Sequence, residues 1–303
     1  MAPLPIESVV PQLKTVLQRR NEAVLVAPPG AGKTTRVPLA LLNEPWLATQ
    51  KIIMLEPRRL AARSAAEWMA GLLQEPVGNT VGYRVRLDSK VSKTTRIEVV
   101  TEGILTRMLQ DDPSLEGVGL LIFDEFHERS LDADLGLALS LHGRDLFREA
   151  PSLKLLLMSA TLDVAKIAAL LDDAPVVRSE GRLHPVSVQY SEPWRHGDNT
   201  EQRVAKTVLQ ALAEQNGSIL VFLPGQREIQ RTCKTLEAAL SQQQDVILTP
   251  LYGDLGLKQQ RQAIAPAPPG KRKVVLATAI AETSLTIDGI SVVVDCGLSR
   301  LPL

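Results

Sequence analysis

The chain alternates short apolar runs with stretches of helical spacing, and no other feature constrains its fold as strongly. Such alternation predicts an α/β protein with a doubly wound parallel sheet, in which every strand ends at the same edge. Strands that are buried on both faces of a sheet read as continuous apolar runs. Five mostly apolar runs predict strands of this kind, at residues 23–27, 52–56, 97–101, 120–124 and 153–158.

The first run leads directly into a glycine-rich turn, PPGAGKTT at residues 28–35, and then into a helical stretch. This turn fits the phosphate-loop pattern G-x-x-x-x-G-K-[ST] except at its first position, where Ala27 replaces glycine. In such a loop Gly30 and Gly32 let backbone amides surround the phosphates, Lys33 reaches the β and γ phosphates, and Thr34 binds Mg²⁺. An ordinary glycine-rich turn is the alternative, which the preceding strand and the following helix disfavour.

The fourth run ends on two adjacent carboxylates, Asp124 and Glu125, at the end of a strand where open parallel sheets bind ligands. Two buried carboxylates side by side repel each other unless a cation compensates them. A divalent ion bound to a nucleotide would do so. The sequence therefore predicts a metal-nucleotide site at this edge of the sheet.

Polar residues also follow the other predicted strands. Arg58 and Arg59 follow the second, where two arginines at a helix N-terminus oppose the helix dipole and so favour a negatively charged partner. A solvated helix start is the alternative interpretation. Thr101 follows the third strand. Ser159 and Thr161 follow the fifth, where they also fit N-caps of the next helix, a role that is compatible with function.

The pattern breaks around residues 175–193, where glycine and prolines interrupt a short predicted strand at 186–190, and we place the domain joint here. The length of 303 residues suits two domains of roughly 150 residues each. We predict a docking helix within residues 1–22, a first domain over 23–182 and a second over 183–303. The second contains helices at 202–214, 227–240 and one ending at 264, and strands at 219–223, 246–251, 274–278 and 292–295.

Composition limits the possible functions. The 34 Lys and Arg residues balance the 34 Asp and Glu residues, so a nucleic-acid groove would have to be built locally by placed arginines and backbone amides. Cys233 and Cys296 lack metal-ligand spacing and are expected to be buried thiols in a reducing compartment. The start of the chain does not resemble a secretory signal, and no apolar stretch reaches about 18 residues. We therefore expect a cytoplasmic protein that does not span a membrane.

Seven sequence motifs occur in order along the chain. They are APPGAGKTT (27–35), EPRRLAARS (56–64), TEGILTR (101–107), DEFHERS (124–130), SAT (159–161), LVFLPG (220–225) and TAIAETSLTIDGI (278–290). In this order they resemble the core of the DEAH-box helicases of superfamily 2. Phe126 departs from the usual alanine of the DEAH sequence, and DEFHERSL together with LEPRRLAAR is most similar to the bacterial HrpB branch of that family.

This resemblance implies two tandem RecA-like domains, with ATP in the cleft between them and single-stranded RNA, or DNA, across their top edge. It implies that Asp124 holds Mg²⁺ with Thr34, that Glu125 is the general base, and that Lys33 binds phosphate. His127, with Ser159 and Thr161, would relay the nucleotide state to the nucleic acid. The implied nucleotide-binding residues are Gly30, Ala31, Gly32, Lys33, Thr34, Thr35, Thr286 and Asp288. The implied contacts to the nucleic-acid backbone, which carry little sequence specificity, are Arg58, Arg59, Thr101, Pro224, Gly225 and Thr278.

Two departures from the family pattern affect the expected activity. Trp68 stands where related proteins often carry an arginine that stacks on adenine; core packing is the favoured interpretation, and the base preference stays open. The family's arginine-rich motif VI does not occur before Leu303, so we expect a fragment whose second domain is incomplete at its C-terminus. An arginine finger is worth about 10³ to 10⁵ in rate, so weak hydrolysis and little unwinding are expected of this stretch alone.

The leading function is thus an ATP-dependent nucleic-acid helicase. A nucleic-acid-stimulated NTPase that remodels ribonucleoprotein without separating strands is the alternative among enzymes. A nucleotide-gated binding module with little turnover is the alternative outside them. The sequence does not specify the oligomeric state.

Overall fold

The computed structural model describes residues 4–149, 152–161, 164–181, 185–193, 195, 197–281 and 287–300. The chain divides into two compact units, residues 1–184 and 185–303. Each unit contains a sheet of mainly parallel strands with helices between them, which confirms the predicted α/β class. Among the described residues, no helix is both long enough and apolar enough to cross a membrane.

The first unit is built on an eight-stranded sheet in the order β4-β3-β5-β2-β6-β7-β1-β8. All neighbouring strands are parallel except β3 and β4, which form an antiparallel pair. Each of the five predicted strands is present, shifted by no more than two residues at either end. The strands are β1 Glu22–Val26, β2 Lys51–Leu55, β3 Val81–Val85, β4 Asp88–Lys90, β5 Ile97–Val100, β6 Val118–Phe123, β7 Lys154–Ser159 and β8 Val176–Arg178.

Helices cover both faces of this sheet, so successive residues of a strand enter different cores. In β1, Leu25 joins one apolar cluster while its neighbour Val24 joins the other. The same division separates Leu120 from Leu121 in β6. Double-sided burial explains why these strands are continuously apolar rather than alternating. The helices are α1 Val10–Arg19, α2 Lys33–Leu41, α3 Arg59–Leu72, α4 Glu102–Asp111, α5 Leu131–Phe147 and α6 Ala165–Leu170.

The N-terminal segment departs from a single helix. A 3₁₀ turn at Pro5–Ser8 precedes α1, and the break falls at Val9. Pro11 explains the break, because proline lacks an N–H group and is tolerated only in the first turn of a helix, where the structure places it. Ile6 from the turn and Leu17 from the helix are both buried in the core.

The expectation that Trp68 packs in the core was wrong. Its side chain is 54% exposed. The buried face of α3 is instead formed mainly by small residues, including Ala62 and Ala66, together with Met69. With about 3.6 residues per helical turn, Trp68 falls outside this buried face, so its indole is exposed.

The second unit has a four-stranded, all-parallel sheet in the order β10-β11-β9-β12. Every predicted helix and strand from residue 200 onward is present, within two residues at each end. The helices are α7 Thr200–Glu214, α8 Gln226–Ala239 and α9 Leu257–Ile264. The strands are β9 Ser218–Phe222, β10 Val246–Leu251, β11 Arg272–Ala277 and β12 Ile290–Asp295.

The short strand predicted at residues 186–190 was wrong, since the described residues 185–193 form no strand. Val186 and Tyr190 are 82% and 93% exposed. Alternating Val and Tyr residues favour a strand only where a neighbouring strand takes up the backbone hydrogen bonds. Within the described residues this segment has no such neighbour.

Both cysteines are free and half-buried. Burial raises the pKa of Cys233 to about 11, assisted by the charge of Glu237. Within the described residues, no cluster of three or more His, Cys, Asp or Glu side chains could hold a metal ion.

Candidate active site

The phosphate-loop sequence forms a turn between β1 and α2. Gly30 and Gly32 have φ angles of +75° and +89°, a region that strongly favours glycine. Gly32 is the N-cap of α2, and Lys33 is its first residue. The free amides of the first helical turn therefore lie at this loop, as a phosphate-binding loop requires. Ala27, which replaces the first glycine of the pattern, is fully buried and donates its N–H to Ser159 O at 3.0 Å.

The N-terminal 3₁₀ turn packs directly on this loop. Ile6 N donates to Ala31 O at 3.2 Å. A Cβ atom on Gly32 would lie 2.6 Å from Leu4 Cδ1, so the leucine side chain reaches the glycine backbone. The predicted docking helix thus begins with a segment that contacts the phosphate loop itself.

Two polar contacts join the phosphate loop to the end of β6. Lys33 Nζ lies 2.7 Å from Glu125 Oε1, and the Thr34 hydroxyl donates to Asp124 Oδ2 at 2.5 Å. Lys33, Asp124 and Glu125 are all buried, at 5%, 3% and 9% exposure. The side chains that the sequence assigned to a metal-nucleotide site are therefore brought together at one edge of the sheet.

Burial and the attraction between Lys33 and the two carboxyl groups dominate the electrostatics of this group. Burial raises the pKa of Asp124 to about 6, with Lys33 opposing the shift and the charge of Glu125 adding to it. Burial acts to lower the pKa of Lys33, but the charges of Asp124 and Glu125 outweigh it and hold that pKa above its ordinary value. The lysine is therefore a fixed cation beside two closely spaced carboxyl groups.

The backbone after β6 makes a tight turn that holds His127 beside Glu125. Glu125 has a φ of +50°, which is unusual for a residue with a side chain. His127 Nε2 lies 3.4 Å from Glu125 Oε2, and His127 Nδ1 accepts from Ala160 N at 3.3 Å. His127 thus lies between the carboxylate and the segment after β7.

Ser159 and Thr161 flank that contact. Thr161 N donates to Ser159 Oγ at 3.2 Å, and the two hydroxyl oxygens are 3.3 Å apart. The alternative that these residues cap the following helix does not hold, because α6 begins at Ala165 and has Val164 as its N-cap.

The predicted nucleic-acid contacts of the first unit lie at the same edge of the sheet. Arg58 is the N-cap of α3 and Thr101 the N-cap of α4, which places them after β2 and β5. Arg59 begins α3 and is exposed, whereas Thr101 is buried. Arg58 and Arg59 follow β2, which adjoins the β6 strand that leads into Asp124, and Thr101 follows β5 on the other side of β2.

Within the second unit, Pro224 and Thr278 line a cavity of about 420 Å³ at the ends of β9 and β11. Gly225, the N-cap of α8, follows Pro224. Asp288 is placed differently: it precedes β12, and the adjacent Gly289 O accepts from the N–H of Ser218, the first residue of β9. Asp288 therefore lies at the opposite edge of this sheet. Thr286 lies outside the described residues.

Comparison with known proteins agrees with the motif order. A model of the DEAD/DEAH box helicase family matches residues 8–170. The chain belongs to this family. A model of the helicase conserved C-terminal domain matches residues 202–302.

Individual relatives place the chain within the DEAD/DEAH box helicases more closely. It is 53% identical over 301 residues to the ATP-dependent RNA helicase HrpB of Escherichia coli (strain K12), covering 99% of this chain and 36% of that protein. It is 35% identical over 301 residues to an ATP-dependent RNA helicase HrpA homolog of Haemophilus influenzae, covering 98% of this chain and 22% of the relative. The resemblance to the HrpB branch is confirmed.

Two solved structures share the fold. A crystal structure of the Escherichia coli DEAH/RHA helicase HrpB superposes with a TM-score of 0.90 at 53% identity, covering 98% of this chain and 37% of that chain. A crystal structure of the E. coli DExH-box NTPase HrpB superposes with a TM-score of 0.81 at 53% identity, covering 99% of this chain and 36% of that chain. The predicted pair of RecA-like domains is confirmed. The chain spans about a third of the length of these HrpB relatives.

Phe126, which departs from the usual alanine of DEAH-box helicases, is 4% exposed. Its ring meets Phe123 edge-on with centroids 5.9 Å apart, and the Arg129 guanidinium lies 5.5 Å from its centroid. In this chain the larger side chain fixes the turn after β6 to the core below it.

Proposed function

We propose that this chain forms the ATP-hydrolysing core of a DEAH-box RNA helicase, which couples hydrolysis of Mg-ATP to movement on, or unwinding of, nucleic acid. The observation that carries the proposal is the convergence of the phosphate loop on the two carboxylates. Lys33 pairs with Glu125 at 2.7 Å, and Thr34 donates to Asp124 at 2.5 Å. Membership of the DEAD/DEAH box helicase family supports ATP hydrolysis as the reaction.

The residues present fit a magnesium nucleotide. The Thr34 hydroxyl and the Asp124 carboxylate offer the hard oxygen ligands that Mg²⁺ prefers. Asp124 and Glu125 also form a buried acidic pair that a single lysine only partly neutralises. Lys33 and the amides at the start of α2 would hold the phosphates. Bound Mg²⁺ would neutralise developing negative charge on the transferred phosphoryl group.

Glu125 is the residue best placed to act as general base. Its two carboxylate oxygens lie 2.7 Å from Lys33 Nζ and 3.4 Å from His127 Nε2. These contacts hold the carboxylate beside the phosphate loop, where it can accept a proton from an attacking water. Lys33, Asp124, Glu125 and His127 are thus the proposed catalytic group. Through its bond from Ala160 N, His127 would relay the state of this group to Ser159 and Thr161.

The proposed nucleic acid is single-stranded RNA, with DNA as the alternative. HrpB and HrpA relatives are named RNA helicases. Arg58, Arg59 and Thr101 would contact its sugar-phosphate backbone from the first unit, and Pro224, Gly225 and Thr278 from the second. Backbone contacts of this kind give little sequence specificity. A cytoplasmic location remains a prediction from sequence, as do the roles of Thr286 and Asp288.

An RNA-stimulated NTPase that does not separate strands is a second candidate. It is favoured by the description of one solved relative as a DExH-box NTPase. In such a protein the same site would drive translocation or remodelling of ribonucleoprotein.

ATP hydrolysis should be measured with and without single-stranded RNA, on the 303-residue chain and on the complete gene product, in parallel with displacement of a strand from an overhang duplex. We expect RNA to stimulate hydrolysis by the complete product. Stimulation without displacement at any overhang would favour the NTPase. Glu125→Gln should abolish turnover and preserve ATP binding, while Glu116→Gln, an exposed control, should change neither. Turnover that survives Glu125→Gln would refute the assignment of the base.

A further inference from the structure

The turn at residues 124–130 contacts both the phosphate loop and residues at the proposed nucleic-acid contacts. Its first two residues, Asp124 and Glu125, meet the phosphate loop. Its last three extend away from that loop toward the residues that are proposed to bind nucleic acid. Glu128 Oε2 lies 3.5 Å from Arg58 Nη2 after β2. Ser130 Oγ donates to Glu102, the first residue of α4 and the neighbour of Thr101.

The Glu128 carboxylate is placed to hold Arg58 in one position. Both side chains are mostly buried, at 22% exposure for Glu128 and 26% for Arg58, so water and salt screen their attraction less than at an open surface. Glu128 Oε1 is buried and accepts no hydrogen bond from the described part of the chain. The ion pair is therefore the polar contact found for this carboxylate.

The segment between Glu125 and Glu128 is short and well anchored. It is a single 3₁₀ turn, Phe126–Glu128, bounded by Glu125 and Arg129 in left-handed conformations with φ of +50° and +48°. Such backbone persists only where the surroundings hold it, and the buried Phe126 ring provides an anchor. Glu128 N also donates to Glu125 O at 2.9 Å, so a shift of Glu128 would act on the backbone of Glu125 and change the position of its carboxylate against Lys33 and His127.

We propose that the Glu128–Arg58 ion pair links nucleic-acid binding to ATP hydrolysis within the first unit, an inference that rests on the proposed function. A backbone phosphate competes with Glu128 for the Arg58 guanidinium. When the phosphate takes over this contact, the restraint on Glu128 is lost and the 3₁₀ turn carries the change to Glu125. Glu128 is thus a positioning residue that acts on Glu125 through the turn.

The test is Glu128→Gln in the complete gene product, with ATPase rates measured over a titration of single-stranded poly(U). The basal rate should rise toward the RNA-stimulated rate, because the substitution removes the restraint that bound RNA otherwise removes. The RNA concentration for half-maximal stimulation should fall about two- to fivefold, because the competing charge is gone. Maximal stimulation should fall about fivefold or more, since binding at Arg58 no longer changes the turn. Glu128→Asp, which keeps the charge, should recover part of the stimulation.

Three comparisons keep the result interpretable. Glu116→Gln makes the same charge change at an exposed site and should leave all three quantities unchanged. The double variant Arg58→Gln with Glu128→Gln should be stimulated no less than Arg58→Gln alone, because Glu128 acts through Arg58. Thermal unfolding shows whether Glu128→Gln folds; a role in stability alone would lower the basal and stimulated rates by one common factor.

The inference and the proposed function fail in different ways. RNA stimulation that is equal in Glu128→Gln and the unsubstituted protein overturns the inference and leaves the function standing. Losses that add in the double variant, or a common fall in basal and stimulated rates, also overturn it. If RNA does not change the rate of ATP hydrolysis by the unsubstituted protein, the proposed function is wrong, and the proposed coupling is wrong as well.

Discussion

Lys33 and Glu125 form a buried ion pair, with Nζ and Oε1 2.7 Å apart. Removal of the lysine leaves Glu125 and the adjacent Asp124 buried without their nearest cation. We expect Lys33→Ala to lower the free energy of unfolding by about 3–5 kcal/mol, since the loss of one partner of a buried pair leaves an uncompensated charge. Denaturant unfolding at pH 7 without Mg²⁺ measures this change.

A matched control exists at the surface of the same unit. Lys14 and Glu44 are also paired, at 2.8 Å, but the lysine side chain is 37% exposed. Lys14→Ala should lower the free energy of unfolding by less than about 1 kcal/mol. Equal losses in the two variants would show that burial does not strengthen the Lys33–Glu125 pair.

Asp124 makes the stability of the nucleotide-free protein depend on pH. Burial raises its pKa to about 6, above the unfolded value of about 3.9. The folded state therefore binds a proton more tightly than the unfolded state. The contribution of Asp124 to stability is fully present below about pH 4, and it is lost as the pH rises through about 6.

Asp124→Asn should remove this dependence. At pH 7 without Mg²⁺, we expect the variant to be more stable than the unsubstituted protein by up to about 3 kcal/mol, since one pKa unit corresponds to about 1.4 kcal/mol. Near pH 4 the two proteins should converge. Urea unfolding at a series of pH values, with EDTA present, gives the comparison. A stability difference that does not change with pH would show that folding does not shift the pKa of Asp124.

Ile6 connects the N-terminal segment to the phosphate loop. It is fully buried, and its N–H donates to Ala31 O at 3.2 Å. Ile6→Ala should lower the free energy of unfolding by about 2–5 kcal/mol, the usual range for such a truncation in a core. It should also weaken ATP binding, because the phosphate loop loses the side chain packed beside Gly32. Calorimetric titration at a temperature where the variant is folded measures the affinity.

Leu17→Ala is the control for that experiment. Leu17 is fully buried in the same core but belongs to the last part of α1, away from the 3₁₀ turn that contacts the loop. Its truncation should reduce stability by a similar amount and leave ATP affinity unchanged. If both variants lose affinity in proportion to stability, the N-terminal segment has no specific effect on the loop.

The central strands and the phosphate loop could be predicted because their signals are local. A continuous apolar run such as Val118–Phe123 has few solutions other than a doubly buried strand. The local sequence of a glycine-rich turn between a strand and a helix likewise predicts the backbone conformation of that turn. The order of the strands then brings Lys33 to Glu125, although 92 positions separate them in the chain.

Features that depend on contacts between residues far apart in the chain were not predicted from the sequence. β4 and β8 are three residues long, contain charged residues and exist only because of their neighbours in the sheet. The exposure of Trp68 depends on which face of α3 meets the sheet, and the buried face is the one that carries Ala62, Ala66 and Met69. Glu128 and Arg58 each belong to a motif that the sequence revealed. Their contact, however, depends on the adjacency of β2 and β6 in the sheet.

Lys273, in β11, caps the C-terminus of α9 and so stabilises the second unit. It is 4% exposed, and its Nζ donates to the carbonyl oxygens of Gln262, Ala263 and Ala265 at 2.6, 2.8 and 2.7 Å. These carbonyls lie at the C-terminus of α9, where no amide of the helix remains to pair with them. Burial lowers the pKa of Lys273, but three acceptors and the negative end of the helix dipole favour its charged form.

Lys273→Met should therefore lower the free energy of unfolding of the second unit by about 3 kcal/mol, because the variant buries unpaired carbonyls. Hydrogen exchange should show faster exchange in the last turn of α9, while the strand amides of β9 keep their protection. Lys271→Met, two positions away and exposed, should change neither quantity. Equal behaviour of the two variants would mean that water satisfies these carbonyls and that Lys273 contributes only its aliphatic chain to the core.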